Sequence, residues 1–142
     1  MSRFIRTTGL VAVVAAAFAA SAAAVAPTET VVFKPVANSG VKGTATLGAN
    51  GIGTKVSVRL IGLKPGAKAT VLVRTGRYPR LGASFAKAAV ATADARGAAR
   101  ASSAVRYRDE PVSWSVIADG DHVLTVIVGG RVVAYAEIPG MS

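Results

Sequence analysis

The chain has 142 residues, no cysteine, one histidine, and 17 Lys and Arg against 7 Asp and Glu, a formal net charge of +10 at pH 7. That length suits one domain, and the missing cysteines exclude disulfides and thiolate metal sites. The charge favours contact with anions without dictating a fold.

Arg3 and Arg6 precede an apolar stretch from Leu10 to Ala20 and a small-residue run from Ser21 to Ala26. This order is that of a secretory signal, with cleavage after Ala24 or Ala26. The run from Gly9 to Ala26 is also just long enough for a retained anchor, but its alanines make it weakly apolar. No cysteine follows to carry a lipid, and the two arginines are not adjacent as a twin-arginine signal requires. The expectation is therefore a signal peptide over 1–26 and one domain over 27–142, secreted or held in the periplasm or cell envelope, with no transmembrane span after cleavage. Removing the first 26 residues with Arg3 and Arg6 leaves 116 residues at a formal charge of +8.

Beyond the leader, short runs of Val, Thr and Ala alternate with Gly, Asn-Gly, Pro-Gly and Asp-Gly turns, the pattern of an all-β sandwich or barrel. Glu29 to Val36 and Val41 to Leu47 read as the first two strands, with Gly48-Ala49-Asn50-Gly51 as the tight turn after them. Thr54 to Leu60 is the clearest strand, since Val56, Val58 and Leu60 alternate with Lys55, Ser57 and Arg59. Lys64-Pro65-Gly66 is a turn with proline presetting φ and glycine free to take positive φ. Ala69 to Arg74 is the fourth strand.

Ala83 to Ala93 reads as a strand by alternation, against the helical preference of its alanines around Ser84 to Ala91. Asp94-Ala95-Arg96-Gly97 is then a hairpin loop and Ala98 to Tyr107 its return strand. Val112 to Val116 alternates around Trp114, where core burial is the simpler reading and an exposed platform the sharper one. His122 to Val128 and Arg131 to Ile138 flank Gly129-Gly130 as a two-residue hairpin. Val123 to Val128 contains only Thr125 as a polar residue, which predicts a central strand buried on both faces.

Two stretches resemble the copper/zinc superoxide dismutase-like Greek-key sandwich: Val56-Ser57-Val58-Arg59-Leu60-Ile61-Gly62-Leu63-Lys64-Pro65-Gly66, and Gly129-Gly130-Arg131-Val132-Val133-Ala134-Tyr135-Ala136. Chordin-type repeats look similar at the level of short strands and Gly-Leu turns. The resemblance implies a Greek-key β-sandwich or barrel of about seven to nine antiparallel strands. In both families a His-x-His pair is usual, and in the dismutases it begins the copper site. The matching strand here is Thr70-Val71-Leu72-Val73-Arg74, and Tyr135 stands where the dismutases usually have cysteine. No ligand carries over, so no cofactor is expected.

His122 follows the turn Asp119-Gly120-Asp121, and the simplest reading is a partly exposed residue at a strand start. Asp119 and Asp121 fall short of the six to eight oxygens calcium takes. No serine sits in a Gly-x-Ser-x-Gly turn, and Asp109-Glu110 is the only pair of neighbouring acids. The compositional excess is basic. Arg74, Arg77 and Arg80 surround Tyr78 in one loop, and Arg106 and Arg108 flank Tyr107 in another. If both loops reach one end of the sandwich, they form a cationic and aromatic patch suited to phosphate, sulfate or uronate. The competing reading is a solvated surface, because Lys55, Arg59, Lys64 and Lys68 spread the charge widely. The expected function is a non-enzymatic exported domain that associates with anionic polymers, an envelope surface or a protein partner, without specific nucleic-acid recognition. A residual dismutase-family enzyme and a purely structural envelope protein are the alternatives.

Overall fold

The computed structural model describes residues 28–140; the expected signal peptide lies outside them. Ten antiparallel strands form a nearly closed barrel in the order β6-β3-β2-β1-β10-β9-β4-β5-β7-β8. They are β1 (Thr28–Pro35), β2 (Lys42–Asn50), β3 (Gly53–Ile61), β4 (Lys68–Arg77), β5 (Arg80–Thr92), β6 (Ala99–Ala104), β7 (Arg106–Tyr107), β8 (Glu110–Pro111), β9 (His122–Val128) and β10 (Arg131–Ile138). The only helix among the described residues is the single turn α1 (Trp114–Ile117), so none is long and apolar enough to cross a membrane.

The strands β6-β3-β2-β1 form one wall, here sheet A, and β10-β9-β4-β5 with the short β7 and β8 form the other, sheet B. The clearest alternation in the sequence gives the clearest strand: along β3, Thr54, Val56, Val58 and Leu60 are buried and Lys55, Ser57, Arg59 and Ile61 are exposed. Phe33, Leu47, Leu60, Ile117, Leu124 and Ile138 are the largest fully buried side chains and fill the space between the walls. β9 is buried on both faces from His122 to Val126, as its unbroken apolar run requires for a strand between β10 and β4.

The hairpin at Gly129-Gly130 joins Val128 to Arg131 with φ of +59° and +80°, the left-handed pair that a two-residue turn demands. The first hairpin turns one residue pair later than expected. Asn50 pairs with Gly53, so the strand runs through Gly48, Ala49 and Asn50 and turns at Gly51-Ile52. Ala83 to Ala93 is extended, within β5, because tertiary pairing with β4 outweighs the helical preference of alanine.

Three expectations need correction. Asp94 to Gly97 is a turn, with the Asp94 carboxylate accepting from the N–H groups of Arg96 and Ala98 at 2.8 and 3.0 Å. It does not join a paired hairpin: β6 crosses over to pair with β3, the Greek-key return. The turn is held against the β3–β4 connection by Leu63 N–H donating to the Gly97 carbonyl, and a Cβ on Gly97 would meet the Leu63 carbonyl at 2.2 Å. Turn chemistry fixes where the chain reverses, while the partner is chosen by the wall that needs an edge. The return strand also breaks at Val105, so Ala99–Ala104 joins sheet A and Arg106–Tyr107 joins sheet B. Finally, Trp114 lies in α1, not in a strand; Trp114 and Ile117, three residues apart, share one helical face and are both buried.

Candidate anion-binding site

The first basic cluster is a hairpin tip, not a loop. Arg74 and Arg77 belong to β4, Arg80 begins β5, and Tyr78-Pro79 is the whole connection between the cross-strand partners Arg77 and Arg80. β9 reaches only to His122, opposite Thr75, so the tip extends past its neighbour. A side chain at Gly82 would place its Cβ 2.2 Å from Thr75 Oγ1, so glycine there lets the two strands of the tip close on each other.

The cluster divides by what each residue touches. Arg74 Nε donates to the Gly82 carbonyl at 3.1 Å. Arg77 donates to the Gly120 carbonyl at 3.0 Å and to Glu137 Oε1 at 3.4 Å. Gly76 N–H donates to the Asp121 carbonyl at 2.9 Å, and the Tyr78 ring stacks on Tyr135 with centroids 4.2 Å apart. Arg74 therefore ties the two strands of the hairpin together, while Arg77 and Tyr78 fasten its tip to β10 and to the turn before β9. Arg80 is exposed at the tip and has no ion-pair partner among the described residues.

The second cluster is a smaller hairpin. Tyr107 pairs with Glu110, so Arg108-Asp109 is a two-residue turn, and both residues take positive φ, +50° and +67°. For an arginine this left-handed conformation costs about 1–2 kcal/mol. It sets the Arg108 guanidinium 5.2 Å from the centroid of the Tyr107 ring, whose plane lies parallel to Phe85 at 5.7 Å. Arg106 Nη1 donates to the Asp109 carbonyl at 2.9 Å. Because Arg106 pairs with Lys87 and β7 runs antiparallel to β5, Arg108 points back along β5 toward its first residue, Arg80. The two clusters thus share one end of sheet B. No hydrogen bond, ion pair or ring contact among the described residues joins them.

Sequence reasoning missed the partners: Glu137 and Gly120, which engage Arg77, and Phe85, which backs Tyr107. The alternation that exposes Glu137 on β10 was readable, but its neighbour across β9 was not. His122 is corrected from partly exposed to buried, at 7% exposure. Its ring packs on Phe85 with centroids 5.2 Å apart, and Nδ1 lies 2.8 Å from Asp119 Oδ1. The Asp119 carboxyl is held below the usual carboxylate range, first by the Asp121 backbone N–H and then by His122. A histidine oriented by an aspartate is two thirds of a nucleophilic triad. Here no hydroxyl bonds to that ring among the described residues.

The copper and zinc of the dismutases do not fit these residues. Val71 and Val73 of β4 are buried in the core, and no three His, Cys, Asp or Glu side chains gather within reach of one ion among the described residues. The chain matches no protein-family model, and no curated protein is significantly similar to it.

Proposed function

We infer that the protein is an exported, non-enzymatic β-domain of superoxide dismutase-like type, which associates with anionic surfaces through Arg80, Arg106 and Arg108. Arg74, Arg77 and Tyr78 position the tip that presents Arg80. The observation that carries this reading is Arg108, an exposed cation held over an aromatic ring by a backbone conformation that arginine disfavours. Strain kept at a surface residue points to a role for that residue. The Greek-key return of β6 supports the dismutase-like part of the reading. An arginine fork suits the oxygens of phosphate better than an ammonium would.

Co-sedimentation with vesicles containing phosphatidylglycerol tests this. Binding should weaken steeply as salt rises. Arg80→Ser with Arg108→Ser should reduce it more than Lys64→Ser with Lys68→Ser, which removes the same charge. Equal losses would mean that net charge alone is read, and no binding at low salt would end the proposal.

A further inference from the structure

Like charges directly opposite each other on neighbouring strands are unfavourable. This barrel nevertheless has three such pairs: Arg77 with Arg80, Arg59 with Arg100, and Lys87 with Arg106. The first is relieved by Glu137. The other two have no ion-pair partner among the described residues. Asp94 lies near enough to Arg100 for the guanidinium to help lower its carboxyl, but the two form no ion pair.

Both pairs that lack an ion-pair partner border one surface. β6 is one edge of the barrel, and it faces β5, which pairs with β7 only at Lys87, across a cleft of about 320 Å³ with Lys87, Arg106, Ser102 and Ser103 on its walls. Ser102 also lines a depression of about 350 Å³ with Ser57, Arg59 and Arg100. Ser57 in turn borders a third, of about 240 Å³, with Lys55, Thr46 and Thr28. Ser102 borders the first two depressions and Ser57 the second and third, so the three adjoin one another. These two hydroxyls are cross-strand partners 3.1 Å apart, and Thr30 and Thr46 extend the row at 3.4 Å. The result is an open track floored by hydroxyls and bordered by cations, running from β5 over β6 and β3 to β1.

We propose that this track binds a linear acidic polysaccharide, one bearing carboxylate or sulfate groups at intervals along the chain. Arg59 with Arg100 clamps one anionic group and Lys87 with Arg106 another, which removes the repulsion within each pair. Ser57, Ser102 and Thr46 both donate and accept, matching the hydroxyls of the sugar rings between. No aromatic side chain lines any of the three depressions, so single-stranded nucleic acid finds no stacking platform. An acidic peptide cannot extend the sheet along β6, since the cleft is closed at one end by the Lys87–Arg106 pairing and at the other by the 94–98 turn. The proposal rests on the reading of this domain as an anion binder and shares Arg106 with the contact named there, but neither Arg80 nor Arg108.

Affinity electrophoresis or calorimetry with polygalacturonate and dextran sulfate, at low salt, tests it on the whole protein. Arg59→Ser with Arg100→Ser should weaken binding at least tenfold, whereas Arg80→Ser with Arg108→Ser, the same change in charge, should stay within twofold of wild type. Ser57→Ala with Ser102→Ala should weaken it several-fold with no change in charge. The thermal midpoint of the Arg59/Arg100 variant should equal or exceed that of wild type, so a loss of binding is not a loss of fold. Equal losses for the two arginine variants would overturn the track, as would binding of uncharged dextran or equally tight binding of a single-stranded oligonucleotide. Failure of the wild type to bind either polyanion while it still binds anionic vesicles would overturn the track and leave the surface-association reading standing.

Discussion

The outer faces of the two walls treat the same residue type in opposite ways. On sheet B, Val123 and Thr125 alternate with the core-facing Leu124 and Val126, so they point outward, yet both are fully buried. Beside them on β10 are their partners Glu137 and Tyr135, to which Arg77 and Tyr78 of the hairpin tip attach. On sheet A the outward row of Val32, Thr46, Ser57, Arg59 and Arg100 is bare. Arg77 on sheet B holds a hairpin down on its neighbours, whereas Arg59 and Arg100 on sheet A are left facing each other. A basic composition therefore describes two different kinds of residue, one structural and one free to meet a ligand.

Paired valines give the largest test of this contrast. Val123→Ala should cost about 2 kcal/mol in urea unfolding, because it leaves a cavity under the hairpin. Val32→Ala, at a position 63% exposed on the opposite wall, should stay within about 0.5 kcal/mol. If the two cost the same, the outer face of sheet B is not covered as described.

Next in size is the cover itself. Tyr78→Ala should lose about 1–2 kcal/mol, since a stacked aromatic pair contributes about 0.5–1.5 kcal/mol beyond its buried area. The near-ultraviolet circular dichroism of the stacked rings should weaken with it. Arg80→Ala, on the same tip but without such contacts, should leave both stability and that signal unchanged.

A smaller effect depends on pH. The Asp94 carboxyl is lowered by the backbone N–H groups of Ala98 and Arg96. A carboxyl lowered on folding stabilises the protein above its unfolded pKa, near 3.9, and that contribution disappears as pH falls through the lower folded value. The thermal midpoint of wild type should therefore exceed that of Asp94→Ala at pH 6, and the gap should narrow steadily on acidification below about pH 4. A gap independent of pH would show that the turn does not depend on the ionised carboxylate.

The smallest effect has the opposite sign. Replacing Arg59 and Arg100 by Ser should raise stability by a few tenths of a kcal/mol at low salt, since it removes a cross-strand repulsion. Added salt should erase the gain by screening. A clear loss of stability would instead make this pair structural, like Arg77.

Much of the fold was legible because it rests on local chemistry. The alternation of β3, the unbroken apolar run of β9 and the Gly129-Gly130 turn each follow from a few neighbouring residues. The basic-aromatic clusters were visible as compositions, and Arg106 and Arg108 do flank Tyr107 on one exposed hairpin. What each arginine touches was not legible, because Glu137 lies 60 residues from Arg77 and Gly120 lies 43 away. The break at Val105 was also hidden, since Ala98 to Tyr107 contains no Gly or Pro to mark it.

By itself the sequence determined an all-β class, most strand positions and the turns, because side-chain periodicity and positive-φ residues act within a few positions of the chain. Tertiary structure decided which strands are partners. β6 leaves β5 for β3, and that choice sets Arg59 against Arg100 and leaves the open seam beside Lys87 and Arg106. Closing two walls over one core settles pairing across the whole chain, and no local pattern carries that information.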